Sequence, residues 1–160
     1  MIIFLNGSIN AGKSTVAKLL AKELPNTALI EIDTLREMIS WMPIDKAIPL
    51  NLKNAVSVIR NFAEEGLDVI VPYPLSQKNY DFMLEKLTDL NTDFHVFTLA
   101  PQLGKVLTNR GARELDDWER DRIKHHYTIG IQSPIFGEII DNTDQTPEET
   151  SRYILARILK

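Results

Sequence analysis

Apolar positions along the chain repeat with two periods, and the two alternate. Residues 2–5, "IIFL", form an unbroken apolar run closed by Asn6-Gly7, which suits a strand buried on both faces. Residues 13–24 then place Val16, Leu19, Leu20 and Leu24 at helical spacing, and Pro25-Asn26 stops that helix. Residues 28–32 read as a second strand, with Asp33 at its C-terminal end. Residues 51–65 put Leu52, Ala55, Val56, Ile59, Phe62 and Ala63 on one helix face, and Gly66 stands where such a helix ends. A third strand is predicted over 68–71, and an amphipathic helix over 76–90 with Tyr80, Met83, Leu84 and Leu87 inward. Residues 94–99 are the fourth strand and 102–110 a short helix. The polar stretch "GARELDDWERDR" leads into a helix reaching about residue 129, and residues 138–140 read as a short fifth strand. Thr146, Pro147 and Glu149 are an N-cap, a first-turn proline and a capping-box glutamate in register, so the last helix starts there.

Strands that alternate with helices imply right-handed crossovers and a parallel sheet covered on both faces. No repeat, linker or low-complexity tract interrupts residues 1–160, so the pattern describes one domain. In such sheets ligands bind beyond the carboxyl ends of the strands. That directs attention to the segments beginning at Gly7, Asp33, Pro72 and Pro101.

Composition narrows the classes. A chain of 160 residues, 44% apolar and 25% charged, has an ordinary globular balance. The net charge of −4 supplies no global basic field, so neither nucleic acid nor an anionic membrane is an expected partner. Any attraction for phosphate must be local. The absence of cysteine excludes a disulfide framework and a thiolate metal site. No apolar run approaches the length of a transmembrane helix, and the N-terminal segment lacks the pattern of a signal peptide. A soluble, cytoplasmic protein is the expectation. Nothing in the pattern assigns an oligomeric state.

The stretch "GSINAGKS", Gly7 to Ser14, matches G-x-x-x-x-G-K-[ST] without a gap, between a buried strand and a helix. Glycines at Gly7 and Gly12 let the backbone curl so that N–H groups, those of Asn10 and Ala11 among them, point at phosphate oxygens. The helix that follows adds its positive N-terminal end. Lys13 places a cation at the terminal phosphates, Ser14 offers a hydroxyl to Mg²⁺, and Thr15 continues the helix start. The expected ligand is a nucleoside triphosphate, with ATP and Mg²⁺ as cofactors.

Three marks in order, "GSINAGKST", "EIDTLR" and "LTNRGAR", resemble the small P-loop kinases across nearly the whole chain. The sequence is similar to shikimate and gluconate kinases, to chloramphenicol phosphotransferase and to the tunicamycin-resistance ATP-binding proteins. The last likeness rests on "FLNG", "VIVPYP", "HVFTLA" and "SPIF". The resemblance implies a three-layer α/β P-loop NTPase fold, with a five-stranded parallel sheet and helices on both faces. It also implies a single P-loop kinase domain with a lid at about residues 110–130.

A kinase needs a carboxylate near the attacking hydroxyl, and the resemblance assigns that general base to Asp33. Arg36, one turn on, would grip a polar or anionic group of the acceptor. Glu31 would reach Mg²⁺ through water. Arg110 would lie on the adenine face and Arg113 would reach the phosphates, while Arg120 and Arg122 read in part as a solvated helix face. The plainer alternatives remain open here: Asp33 as a helix cap, and Arg36 as a surface residue.

Many P-loop proteins end the third strand with a magnesium-holding aspartate. Here Pro72-Tyr73-Pro74 stands instead, and shikimate becomes an improbable acceptor. Tyr73 is expected to line the acceptor pocket, with Trp41 and Met42 as candidates beside it and plain packing as the alternative for all three. Residues 141–143 take the position that passes the adenine ring in similar kinases. His95, His125 and His126 receive no role.

The expected activity is ATP-dependent transfer of phosphate to a hydroxyl of a small molecule. The alternatives are a tunicamycin or nucleotide-sugar resistance protein, a nucleoside or nucleotide kinase, and a nucleotide-dependent regulatory protein without acceptor chemistry.

Overall fold

A computed structural model describes residues 1–109 and 114–159. Strand β1 (Ile2–Gly7) leads through the glycine loop into helix α1 (Lys13–Glu23), then strand β2 (Thr27–Leu29) and helices α2 (Ile32–Glu37) and α3 (Ile44–Glu64). Strand β3 (Asp68–Pro72), helix α4 (Gln77–Leu87), strand β4 (Phe94–Leu99) and helix α5 (Leu103–Val106) follow. Helix α6 (Asp117–Thr128), strand β5 (Glu138–Ile140) and helix α7 (Pro147–Ile158) complete the described chain. All strand pairs are parallel, in the order β2-β3-β1-β4-β5.

The period of two in the central strands decides the layers. Ile2 and Phe4 enter one core with Val69 and Val71, under α3 and α4. Ile3 and Leu5 enter the other with Ile70, Phe97 and Leu99, under α1 and α7. Each fully buried Ile or Leu contributes about 1.5–3 kcal/mol. β1 is buried along its whole length because both of its faces carry a core.

Asn6 is the polar exception inside β1. Its Nδ2 donates to Thr98 Oγ1 at 3.1 Å and to Ile131 O at 3.0 Å, and its Oδ1 accepts from Leu75 N at 2.7 Å. One side chain thereby ties the central strand to its neighbour and to the loops after β3 and α6. Asn6→Ala would leave these groups buried and unpaired. A loss of about 2–4 kcal/mol in urea unfolding is expected; a change within about 0.5 kcal/mol would mean that water replaces the amide.

Three expected boundaries change. The second strand ends at Leu29 rather than 32, although Ile30 N still bonds Ile70 O at 2.9 Å. Glu31 is the N-cap of α2, so Asp33 lies in a first helical turn, not at a strand end, and no strand pleat aligns it with Glu31. The cause is tertiary: Ile32 is fully buried, and Asn51 Nδ2 holds its carbonyl at 2.9 Å. α3 starts at Ile44, ahead of the expected 51, with Pro49 inside it. Proline lacks the N–H of the helix ladder and reads as a breaker, yet here it falls in the second turn and Ala47 and Leu52 still pack. The short helix stops at Val106, not 110.

The Thr146 capping box forms as expected, with Glu149 N on Thr146 Oγ1 at 3.1 Å and Thr146 N on Glu149 Oε2 at 2.8 Å. A second box, Asp116 with Glu119, starts α6. Among the described residues no helix is long and apolar enough to cross a membrane.

Candidate functional site

The loop between β1 and α1 sits at the carboxyl end of the sheet, as the strand polarity requires. Gly7, at φ +139, passes so close to β4 that a Cβ there would meet Leu99 O at 2.5 Å. Gly12 is the left-handed N-cap of α1 at φ +99. Three asparagine amides fasten the loop to its surroundings. Asn10 reaches across, donating through Nδ2 to Val106 O at 2.8 Å and Thr108 O at 3.0 Å. Asn142 Nδ2 donates to Ala11 O at 3.0 Å, and Asn6 anchors the strand below. The loop is thus fixed by the protein itself, with Lys13 Nζ donating to Ser8 O at 2.7 Å.

A cleft of about 580 Å³ lies over this loop. Lys13, Ser14, Thr15, Glu31 and Asp33 line it, with Pro72 and Pro74 opposite. The structure therefore brings Asp33 to the loop even though the strand before it is shorter than expected. Arg36 is exposed and faces a second cavity. Tyr73 is buried in the main core rather than standing in the cleft wall. Burial first, then the charge of Asp33, raises its phenol to about 12, against the opposing pull of Arg36 and Arg122. Tyr73 stays protonated there, a neutral neighbour of the charged groups. Arg110 and Arg113 lie outside the described residues.

Ser14 Oγ donates to Glu31 Oε2 at 3.3 Å, and Lys18 Nζ is 3.6 Å from Glu31 Oε1. A hydroxyl and a carboxylate side by side, both hard oxygen donors, fit Mg²⁺ completed by water and phosphate. Glu31 thus places a carboxylate beside Ser14, where the third strand offers none. Among the described residues no cluster of three His, Asp or Glu forms a metal site by itself.

Two residues of α6 come into the site that sequence reasoning passed over. His126 is buried, with Nδ1 3.3 Å from Ser8 Oγ in the loop. Burial, followed by the charges of Arg122, Lys13 and His125, lowers its imidazole to about 4. Arg122 is half-buried and its charge reaches both His126 and Tyr73, so it is turned inward and not merely solvated. The only sequence signal was spacing: His126 lies three residues after Ile123, on the face that packs with Val106 and Leu115. That small cluster seats the described part of the expected lid on the loop.

His126 makes stability depend on pH. Between its ordinary value of 6.5 and about 4, the unfolded chain takes a proton that the folded chain refuses. Its effect is absent above that window, and stability falls as pH falls through it. Urea unfolding at about pH 7 and about pH 4.5 should show His126→Gln losing about 2 kcal/mol less than the parent over the interval. Equal losses would clear His126 of the acid sensitivity.

No protein-family model and no curated protein sequence matches this chain. Solved structures do match. The tunicamycin resistance protein of Deinococcus radiodurans superposes with a TM-score of 0.63 at 23% identity, over 98% of this chain and 94% of its own. A sugar kinase from Janibacter sp. does so at 0.74 and 15%, over 98% and 93%. The APS kinase of Mycobacterium tuberculosis, in complex with AMPPNP and APS, does so at 0.65 and 19%, over 99% and 97%. The chain has the P-loop kinase fold, and at these identities it is the fold that is shared.

Proposed function

We propose that this protein transfers the terminal phosphoryl group of Mg²⁺-ATP to a hydroxyl of a small molecule. One observation carries the reading: Lys13 and Ser14 of the phosphate loop and Asp33 of α2 line a single cleft. A loop that only bound nucleotide would need one carboxylate for its magnesium, and Glu31 supplies that; Asp33 is a second at the same cleft. The fold shared with a sugar kinase and an APS kinase supports the same reading.

In this reading the loop amides and the Lys13 ammonium hold the phosphate oxygens and neutralise charge as it shifts toward the leaving group. Ser14 and Glu31 would hold the magnesium, whose charge would offset that of the phosphates. Asp33 orients the acceptor hydroxyl and takes its proton as the new O–P bond forms and the bond to the ADP oxygen breaks. Arg122 adds a cation from α6 on the side of Lys13 and Tyr73. Catalysis is positioning and electrostatics, and the protein forms no covalent bond to the phosphoryl group.

Coupled ADP release over a panel of sugar acids, nucleosides and antibiotics tests this. The expected result is ADP formed only when one of them is present. Tunicamycin belongs in that panel because of the likeness to the Deinococcus protein. ADP formed at one rate whatever is added would favour a nucleotide-driven regulatory protein.

A further inference from the structure

The chain has two tryptophans, Trp41 and Trp118. Trp41 stands in the loop between α2 and α3 and Trp118 in the first turn of α6, and both are left to water, at 79% and 61% exposure. A single exposed aromatic needs no explanation. These two come from different elements and line the same cavity, of about 330 Å³. Its wall is completed by Arg36, Glu37, Ile39, Ser40, Met42, Ile44 and Ala47, so one cation and one carboxylate share it with apolar side chains.

Helix α2 joins this cavity to the cleft described above. Asp33 lines the cleft, and Arg36, one turn on, lines the cavity. Residues three apart on a helix have Cβ atoms about 5–6 Å apart. A molecule whose hydroxyl meets Asp33 therefore has its remainder near Arg36, which in turn lines the cavity of the two indoles.

We propose that the cavity binds a planar aromatic ring of the acceptor against Trp41 and Trp118, while Arg36 takes a carboxylate or other anionic group of the same molecule. The proposal rests on the reading of Asp33 as the transfer centre and names the acceptor class: an aromatic alcohol with a short arm between ring and hydroxyl. The chemistry of the wall selects it. Indole faces pair with flat rings in offset or edge-to-face contact, which adds to plain area burial. A guanidinium both pairs with an anion in a fork and lies flat on aromatic faces. The volume is at the lower end for ligand pockets, enough for one ring or a fused pair.

Because both tryptophans are at this cavity, intrinsic tryptophan fluorescence of the full chain reports on it alone. The probes are 3-phenyllactate and indole-3-lactate, with 3-cyclohexyllactate as the control of equal reach and no aromatic face. Saturable change with the aromatic probes, at least about tenfold weaker with the cyclohexyl acid, is expected. Trp41→Ala and Trp118→Ala should each weaken binding by roughly tenfold, with Trp41→Phe and Trp118→Phe restoring most of it and isolating the signal of the other indole. Arg36→Gln should weaken 3-phenyllactate but not 2-phenylethanol, which lacks the carboxylate.

Equal binding of the cyclohexyl acid overturns the aromatic assignment. So does no change with any aromatic probe up to about 10 mM, where a contact of about −2.7 kcal/mol half-saturates. A concentration-dependent spectral shift without ligand, accompanied by dimers in sedimentation equilibrium, overturns it in favour of a second copy covering the indoles. Calorimetric titration of the same preparation with Mg²⁺-ATP separates the two readings. Nucleotide bound but no ring bound defeats this proposal alone, whereas absent nucleotide binding defeats the transfer centre on which it rests.

Discussion

Lys13→Ala is expected to lower turnover by about 10²–10³-fold and to weaken Mg²⁺-ATP binding, while the fold survives. The side chain is half-buried in the phosphate loop and belongs to none of the apolar clusters. Its ammonium bonds a loop carbonyl, Ser8 O at 2.7 Å, so the alanine variant gives up a hydrogen bond at the loop surface, not a core contact. The large term is electrostatic. In the proposed reading a cation among the loop amides would meet the phosphates in a cleft, where a fixed charge acts more strongly than in solution. Calorimetric titration with nucleotide, beside a thermal melt without it, separates the two effects. Unchanged affinity together with an unchanged rate would remove the phosphate-loop assignment, and a collapsed melt would give Lys13 a structural role instead.

Asp33→Asn should leave nucleotide binding in place and lower transfer to the acceptor by roughly 10²–10⁴-fold, as expected for a lost general base. Asparagine keeps the shape and a hydrogen-bonding oxygen but carries no charge and accepts no proton. Asp33 is exposed at the cleft and in the first turn of α2, so the change should disturb packing little. The deficit belongs in kcat if Asp33 acts chiefly in the transition state, whereas Arg36→Ala should appear mainly in the acceptor KM. A native transfer rate in Asp33→Asn would reduce Asp33 to a favourable charge at a helix start and send the search for the base elsewhere.

Local chemistry explains which features were legible before the structure. The glycine loop was readable because its parts are consecutive and its surroundings, a doubly buried strand and a helix, announce themselves by period. Thr146, Pro147 and Glu149 marked a helix start because capping acts within four residues. The Asp116 and Glu119 box obeys the same rule, yet the dense charge of its neighbourhood disguised it as a solvated face. The second strand was overextended because "LIEI" has strand composition, and only the burial of Ile32 beneath α3 turns that segment into a helix. Pro49 hid the first turns of α3 because a breaker within a helix is tolerated by packing that no local pattern displays.

What the sequence by itself determined is what a few adjacent residues settle: the alternation of strands and helices, and the phosphate loop between the first strand and the first helix. The tertiary structure alone decided the partners that meet across the sheet's carboxyl end. Glu31 stands at Ser14, His126 at Ser8, Asn142 at Ala11, and Trp41 shares a cavity with Trp118. Each pair is brought together by parallel crossovers that return distant segments to one edge. The distances between such groups follow from how helices seat on the two faces of the sheet. That seating is set by the summed packing of both cores, and no residue's neighbours in the chain record it.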